Sequence, residues 1–414
     1  MKKSYSKITA IILLTCLSFA SCKKETQEMN AVHTTSTDKD QIGVVNLETD
    51  PRIDKLADTL AYRLSHNPST VVGYSLTVSY KNKTWLTRTG GYARQPNIDA
   101  NWQPMTSSTQ YSIASVSKTI SAAALIHCLN TPPNGYNMID WPIWTYLPKH
   151  WQMGPNIKNI TFRQLLTHTS GFRDTTNGPN GTAYQDLKAL VAKGVSMSNQ
   201  GVYTYNNRNY ALLRLLIPVL AKYQVTQFDP GINTQAQLAS IENTQAQQFA
   251  DDYKDYCHKV IFDKLTEYSY MTIDCKNSSA FPGLYYSLPG YPYMGIAVGD
   301  LTLTSGGQGW VMNSPQIADF FRTLHYTEDI VPKMLSDLMK TQLLGYDATG
   351  LTKDNISYYW KNGIYDRVYP AKLDTQGFRS IIIGFGDDVQ ISAFTNSPVD
   401  LVKACIAAHE DWKQ

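Results

Sequence analysis

The sequence predicts an α/β protein in which one lobe takes strands from both ends of the chain and a helical lobe is inserted between them. Strand patterns occur at 71–94 and return after about residue 290, whereas the segment between them is mainly helical and loop-like. We therefore expect an α/β lobe at about 51–120 and 290–414, with an all-helical lobe at about 121–289.

The first elements follow from simple patterns. Apolar residues at helical spacing predict a helix in "PRIDKLADTLAYRL", residues 51–64. Two β-rich runs, "VVGYSLTVSY" and "TWLTRTGGYAR", are separated by "KNK" and predict a hairpin. The run "SKTISAAALIHCL" predicts a helix that ends before Pro132 and Pro133, because proline cannot continue a helix.

The later elements alternate between helix and strand. We expect a short helix in "TFRQLLTH", a longer one in "YALLRLLIPVLAKY", and a terminal amphipathic helix in "PVDLVKACIAAHEDW". "RSIIIGFG" and "VQISAFTN" flank "GDD" and predict a hairpin. The pentapeptide "NTQAQ" occurs at 233–237 and 243–247, which predicts a polar surface insertion, with a place near the cleft as a hypothesis.

The N-terminus has the pattern of an export signal. Three lysines precede the apolar stretch "ITAIILLTCL", which is too short to span a bilayer as a stable helix, and "FAS" then precedes Cys22. We interpret 1–21 as a lipoprotein signal peptide, Cys22 as the lipidated residue and 22–50 as a flexible tether. The expected location is the bacterial cell envelope, at the periplasmic face or the cell surface. Secretion with an unmodified cysteine is the alternative.

The net charge of the chain limits the classes of binding partner that we expect. The formal net charge of +3 becomes 0 once residues 1–21 are removed, because they hold three lysines and no acidic residue. A nucleic-acid partner is therefore not expected.

No Cys/His cluster has the spacing of a zinc site. Cys257 and Cys275 are close enough in sequence for a disulfide, whereas Cys128 and Cys405 lie in apolar helical patterns that favour buried thiols.

Ser115 and Lys118, in "YSIASVSKTI", are the first candidates for chemistry. A spacing of three places both side chains on one face of a helix. A serine hydroxyl needs a nearby base, and lysine can act as one where burial and neighbouring positive charge depress its pKa. The same spacing occurs at Ser4/Lys7 and Ser21/Lys24, so a polar helix start with a solvated lysine is the alternative.

Tyr205 and Asn207 form a second candidate pair, directly before an apolar helix. A tyrosine near a lysine can transfer protons, and an asparagine amide can hold a lysine and a substrate carbonyl together. The same Tyr-x-Asn pattern at Tyr80 ends a predicted strand, so a structural role is the alternative. His168 and Ser170, in "FRQLLTHTSGF", are only two residues apart, and we expect them to serve packing and a turn.

Taken together, these elements resemble the serine β-lactamase-like hydrolase family, which includes class C β-lactamases, penicillin-binding DD-peptidases and related esterases. The resemblance rests on Ser-x-x-Lys, "LLTHTSGF", and Tyr-x-Asn followed by "YALL". "SGGQGWVMNSPQIADFF" resembles the family's glycine-rich turn and following helix, and "GFRSIIIGFGDDVQISAFTNS" its last two strands. The resemblance covers about 51–414. It implies an antiparallel sheet flanked by helices, with the active site between the lobes.

The resemblance also implies roles for individual residues. Ser115 matches the nucleophile, Lys118 the activating lysine, Tyr205 the catalytic tyrosine and Asn207 the motif asparagine, with no metal or cofactor. The oxyanion hole would combine the Ser115 N–H with a backbone N–H of the edge strand before Gly377.

The third family motif, Lys-Thr-Gly or His-x-Gly, is expected about six residues before Gly377. Alignment without a gap places Ala371 at its first position and Leu373 at its glycine, and a one-residue shift places Lys372 first. We therefore expect Lys372 and Gly377 on the substrate side of the site. This departure from the family motif weakens the β-lactamase and carboxypeptidase interpretations more than it weakens an esterase or amidase interpretation.

The leading hypothesis is a lipid-anchored serine hydrolase that cleaves a small-molecule or peptide ester or amide through an acyl-enzyme. A true β-lactamase or DD-carboxypeptidase is the first alternative. A catalytically silent relative that binds cell-wall peptide or a partner is the second.

Overall fold

An antiparallel seven-stranded sheet forms the centre of the computed structural model, in the order β3-β2-β1-β9-β8-β7-β6. The structure describes residues 51–66, 71–173, 181–266, 271–288, 294–369 and 374–413. The predicted signal peptide 1–21, the tether 22–50 with Cys22, and Lys372 lie outside these residues and stay predictions. The strands are β1 Gly73–Tyr80, β2 Lys83–Arg94, β3 Gln103–Pro104, β4 Tyr111–Ser112, β5 Val311–Met312, β6 Ala348–Leu351, β7 Ser357–Tyr369, β8 Asp374–Phe385 and β9 Val389–Thr395.

Most helices lie between the two groups of strands, as the sequence predicts. The short helix α3 begins at a capping box, in which Thr161 accepts from the Gln164 N–H and Gln164 accepts from the Thr161 N–H. The helices are α1 Pro51–Ser65, α2 Ser117–Asn130, α3 Phe162–Leu166, α4 Tyr184–Lys193, α5 Asn207–Ala211, α6 Leu213–Leu220, α7 Leu238–Val260, α8 Ser314–Tyr326, α9 Lys333–Thr341 and α10 Leu401–Trp412.

The first and last strands of the described residues pair with each other in this sheet. Strand β1 pairs with β9, and helix α1 packs against α10 on one face. In β8, Ile381 and Ile383 join the core under these two helices, while Ile382 joins the core on the opposite face. The antiparallel sheet with flanking helices is therefore confirmed, whereas the boundaries of the two predicted lobes stay a prediction.

Helix α2 runs through the middle of the larger core. Its residues are buried on every side except at His127 and Asn130, so it is a central helix rather than an amphipathic one. A 3₁₀ turn, Ala114–Val116, precedes it. This turn follows β4, which pairs with β5 in a small two-stranded sheet.

The glutamine-rich repeat is only partly a surface insertion. The first copy, at 233–237, is largely exposed, but the second lies in α7, where Gln245 is fully buried. Gln245 accepts from the Tyr184 hydroxyl at 2.6 Å, and Glu242 accepts from Lys188 at 2.5 Å. These contacts attach the repeat to helix α4 and not to Ser115. The predicted surface insertion is therefore wrong for the second copy, and these contacts do not support the hypothesis of a cleft lining.

Four described cysteines are buried free thiols: Cys128, Cys257, Cys275 and Cys405. The expectation for Cys128 and Cys405 is confirmed, and Cys257 and Cys275 are not bridged. None of the helices in the described ranges is both long and apolar enough to cross a membrane.

Candidate active site

Ser115 lies on the 3₁₀ turn that leads into α2, and this turn is held from two sides. The Ile113 N–H donates to the Trp310 carbonyl at 2.9 Å, and the Ser380 hydroxyl donates to the Ile113 carbonyl at 2.6 Å. Ala114 has a φ of 42°, in the left-handed region that costs a residue with a side chain conformational energy. The surrounding contacts therefore impose a strained backbone directly before Ser115.

Lys118, in the first turn of α2, is fully buried beneath Ser115. Its Nζ lies 2.9 Å from Ser115 Oγ, 2.7 Å from Asn207 Oδ1 and 2.6 Å from the Gly307 carbonyl oxygen. Asn207 opens helix α5, and Gly307 belongs to the glycine-rich turn before β5. Three separate segments of the chain thus converge on one amine.

Tyr205 completes the cluster from the segment before α5. Its hydroxyl donates to Ser115 Oγ at 2.8 Å. The Nζ atoms of Lys118 and Lys361 lie 5.0 and 5.1 Å from the centroid of its ring. Both distances are within the range of a cation–π contact. The sequence-predicted residues Ser115, Lys118, Tyr205 and Asn207 are therefore brought together.

The hydrogen bonds assign a direction of proton transfer. The Asn207 and Gly307 oxygens only accept, so they take two N–H groups of Lys118. With the amine protonated, its third N–H donates to Ser115 Oγ, which also accepts from Tyr205. A neutral amine would instead present its lone pair to the Ser115 hydroxyl, which would then donate to Lys118. In this state Lys118 can remove the hydroxyl proton of Ser115.

Because Lys118 is buried, the neutral form of its amine is populated near physiological pH. Loss of solvent lowers the pKa of Lys118, Tyr205 opposes this effect, and the positive charge of Lys361 adds to it, so that the pKa is about 8. The site thus contains a base whose pKa suits proton transfer at mildly alkaline pH.

His168 supports Tyr205 and does not act as a base for Ser170. Its Nδ1 accepts from the Asn206 N–H and lies near the Asn209 amide, both at 3.2 Å, and its ring centroid is 4.5 Å from that of Tyr205. Burial, with the charges of Lys118 and Lys361, lowers the pKa of His168 to about 2, so the ring is neutral. Ser170 donates to Asn209 at 2.6 Å. The expected packing and turn role is confirmed.

The strand beside Ser115 is β7, and this corrects the placement of the third motif. Lys361, Asn362 and Gly363 form a Lys-x-Gly triplet on β7. A Cβ on Gly363 would lie 2.5 Å from the Ile113 carbonyl oxygen and 2.2 Å from Ser380 Oγ, so only glycine allows this approach. The triplet stands at 361–363, not at 371–373.

Gly377 is not part of the cluster. It pairs with Asp366 on β7, three residues beyond Gly363, and its N–H donates to the Tyr286 carbonyl at 3.0 Å. Strand β8 is therefore covered at this point, and the expected substrate-side role of Gly377 is wrong. The strand that can supply a second oxyanion N–H is β7. Lys372 cannot be placed, because it lies outside the described residues.

Sequence reasoning missed Lys361, Gly363 and Gly307, and also Asp347, the ion-pair partner of Lys361. A signal for the first two was available in "SYYWKNGIYDRVY", a β-rich run with a Lys-x-Gly triplet directly before the recognised hairpin. The acceptor role of Gly307 is carried by a backbone oxygen, which no residue pattern reveals.

Comparison with known proteins agrees with this geometry. Residues 63–229 match the family model described as Beta-lactamase. This part of the chain therefore resembles the serine β-lactamase-like family. Among curated β-lactamase-like relatives, PbpX of Bacillus subtilis (strain 168), named for penicillin binding, is 32% identical over 149 residues, 35% of each chain. Protein flp of Staphylococcus aureus (strain MW2) is 26% identical over 166 residues, 38% of this chain and 32% of that protein. The chain therefore spans about a third of the length of these relatives.

Solved structures of the β-lactamase-like family share the fold over most of the chain. The D-amino acid amidase of Ochrobactrum anthropi SV3 matches with a TM-score of 0.62 and 17% identity, covering 88% of this chain and 100% of that one. The octameric penicillin-binding protein homologue of Pyrococcus abyssi matches with a TM-score of 0.60 and 15% identity, covering 87% and 76%. At these identities the likeness concerns the fold alone.

Proposed function

We propose that the protein is a serine hydrolase that cleaves an ester or amide through an acyl-enzyme on Ser115. One observation carries the proposal: Ser115 Oγ lies 2.9 Å from Lys118 Nζ and 2.8 Å from the Tyr205 hydroxyl. A nucleophile within hydrogen-bond reach of a base and of a second proton carrier is the arrangement that acyl transfer requires. The match of residues 63–229 to the Beta-lactamase family model supports the same reaction class.

The reaction follows from these positions. Ser115 Oγ bonds to the substrate carbonyl carbon and transfers its proton to Lys118. The carbonyl oxygen becomes an oxyanion beside the Ser115 N–H, which belongs to the single 3₁₀ turn Ala114–Val116 that leads into α2. The leaving group departs with a proton delivered through Tyr205, and the acyl group remains on Ser115. Water then attacks this ester and gives up a proton to the same groups. They pass the proton to Ser115 Oγ as its bond to the acyl carbon breaks, and the carboxylic acid is released.

One observation supports the β-lactamase or DD-carboxypeptidase alternative. Lys361 and Gly363 supply a Lys-x-Gly triplet beside Ser115, whereas the sequence alignment had left this motif without its glycine. The names of the penicillin-binding relatives point the same way. A catalytically silent role is disfavoured, because Ser115, Lys118 and Tyr205 form a complete proton-transfer chain.

Covalent labelling tests the proposal. A fluorescent fluorophosphonate should label the wild type through a bond between phosphorus and Ser115 Oγ, and Ser115→Ala should abolish the signal. Ser108→Ala, the same change at an exposed serine, should leave it intact. Tyr205→Phe keeps the ring beside both lysines and removes only the hydroxyl, so labelling should slow by roughly 100-fold or more.

Parallel labelling with a fluorescent penicillin separates the enzyme classes. Labelling by the fluorophosphonate alone supports an esterase or amidase, and Ser115-dependent labelling by both probes supports the penicillin-recognising alternative. A folded wild type that neither probe labels, or labelling that survives Ser115→Ala, would contradict the proposal.

The rate should depend on the protonation of Lys118. Below its pKa of about 8 the amine carries a proton and cannot accept another, so kcat/KM should fall about tenfold per pH unit. Above that pKa the amine is neutral and the rate should level off. Hydrolysis of p-nitrophenyl valerate, corrected with Ser115→Ala as the blank, gives this profile. A rate that stays constant through the two units below pH 8 would remove Lys118 as the base.

We further propose that the protein is anchored to the bacterial envelope through a lipid on Cys22. The lysines, apolar stretch and small residues before this cysteine support the proposal. Cells given labelled palmitate should incorporate it into the wild type and not into Cys22→Ser. Equal incorporation into both proteins would argue against the anchor.

A further inference from the structure

Lys361 is paired with a carboxylate that the proposed reaction does not use. Asp347, which follows α9 and directly precedes β6, contacts Lys361 Nζ through one oxygen. Its other oxygen accepts from the Asn362 N–H at 3.0 Å, and its own N–H donates to the Trp360 carbonyl at 2.9 Å. Asp347 is therefore fixed to strand β7 at three successive residues.

This ion pair lies close to the reacting groups. Lys361 Nζ is 5.1 Å from the ring centroid of Tyr205, whose hydroxyl contacts Ser115. Only 2% of the Lys361 side chain is exposed, against 20% for Asp347. The ammonium is therefore buried, whereas its carboxylate partner keeps some contact with solvent.

The pairing changes what the site attracts. A free ammonium at this position would attract a substrate carboxylate, with an interaction that is strong where water is excluded. Asp347 neutralises the positive charge of Lys361 and accepts from the ammonium that would otherwise bind the substrate carboxylate. A substrate carboxylate that displaced Asp347 would leave the Asp347 carboxylate without its ammonium partner, so it gains little by competing with Asp347.

The neighbouring surface is aromatic. Tyr203, which is 59% exposed, lies two residues before Tyr205, and its ring centroid is 6.0 Å from that of His168. Asp347 is among the charges that act on the Tyr203 hydroxyl and raise its pKa, after the larger effect of burial. Tyr203 thus offers an exposed aromatic ring on the same side of Tyr205 as His168, against which an apolar acyl group could pack.

We infer that Asp347 determines which substrate charge this site accepts. By occupying Lys361, Asp347 makes the enzyme select uncharged, apolar esters or amides over substrates with a carboxylate near the scissile bond. The inference rests on the proposed function, because it concerns selectivity among substrates of Ser115. Asp347 is a specificity residue that acts through Lys361.

Two esters of equal chain length test the inference on the full-length protein. p-Nitrophenyl valerate is uncharged, and p-nitrophenyl hydrogen glutarate carries a terminal carboxylate. The wild type should have the higher kcat/KM for valerate. Asp347→Asn keeps an acceptor for the Asn362 N–H but frees the charge of Lys361, so the glutarate-to-valerate ratio of kcat/KM should rise at least about tenfold.

Three further variants separate charge from general damage. Asp347→Asn/Lys361→Gln removes both charges, and the ratio should return towards the wild-type value. Lys361→Gln alone leaves an unpaired carboxylate and should lower the ratio about tenfold, which tests the inference even where Asp347→Asn does not fold. Asp387→Asn, the same change in an ion pair with Lys413, should leave the ratio unchanged.

The outcomes distinguish the inference from the proposed function. Ser115-dependent turnover with an unchanged ratio in folded Asp347→Asn would overturn the inference and leave the proposed function standing. A rise that persists in the double variant would also overturn it. Wild type without Ser115-dependent turnover of either ester would reject the proposed function and the inference with it.

Discussion

The site depends on one constraint, which is a lysine amine held in the protein core without water. Lys118 lies on a helix that is buried almost all round, so every polar contact of its amine must come from the protein. Asn207 and the Gly307 carbonyl meet that demand, and Ser115 takes the remaining direction. The same burial that requires these partners also lowers the pKa of the amine to about 8.

The surrounding architecture follows from that requirement. The glycine-rich turn must bring a carbonyl to Lys118, and a Cβ on Gly307 would lie 2.8 Å from the Asn207 carbonyl oxygen. Strand β7 must approach the Ser115 turn closely, which Gly363 allows. A second buried lysine, Lys361, lowers the pKa of Lys118 further, and Asp347 balances its charge. Nucleophile activation and the choice of substrate charge are thus linked through the two lysines.

Much of this could be predicted from the sequence where the signal is local. The terminal helices, both hairpins and the Ser115, Lys118, Tyr205 and Asn207 pattern depend on short-range periodicity and spacing. The third motif was misplaced because it was counted back from Gly377, and that count assumes a hairpin length that only the β7–β8 register reveals. Gln245 was taken for a surface residue because its partners, Tyr184 and Thr226, lie far away in sequence. Asp347 carries no motif, and its importance appears only when β6 and β7 bring it to Lys361.

The central claim is that the acyl group passes through Ser115, and mass spectrometry of the acid-quenched reaction tests it most directly. Protein mixed with p-nitrophenyl valerate and quenched during turnover should carry one valeryl group on the peptide that contains Ser115. The group should be absent from Ser115→Ala, which should also lack turnover. A valeryl group on another residue, or turnover by Ser115→Ala at the wild-type rate, would contradict the account.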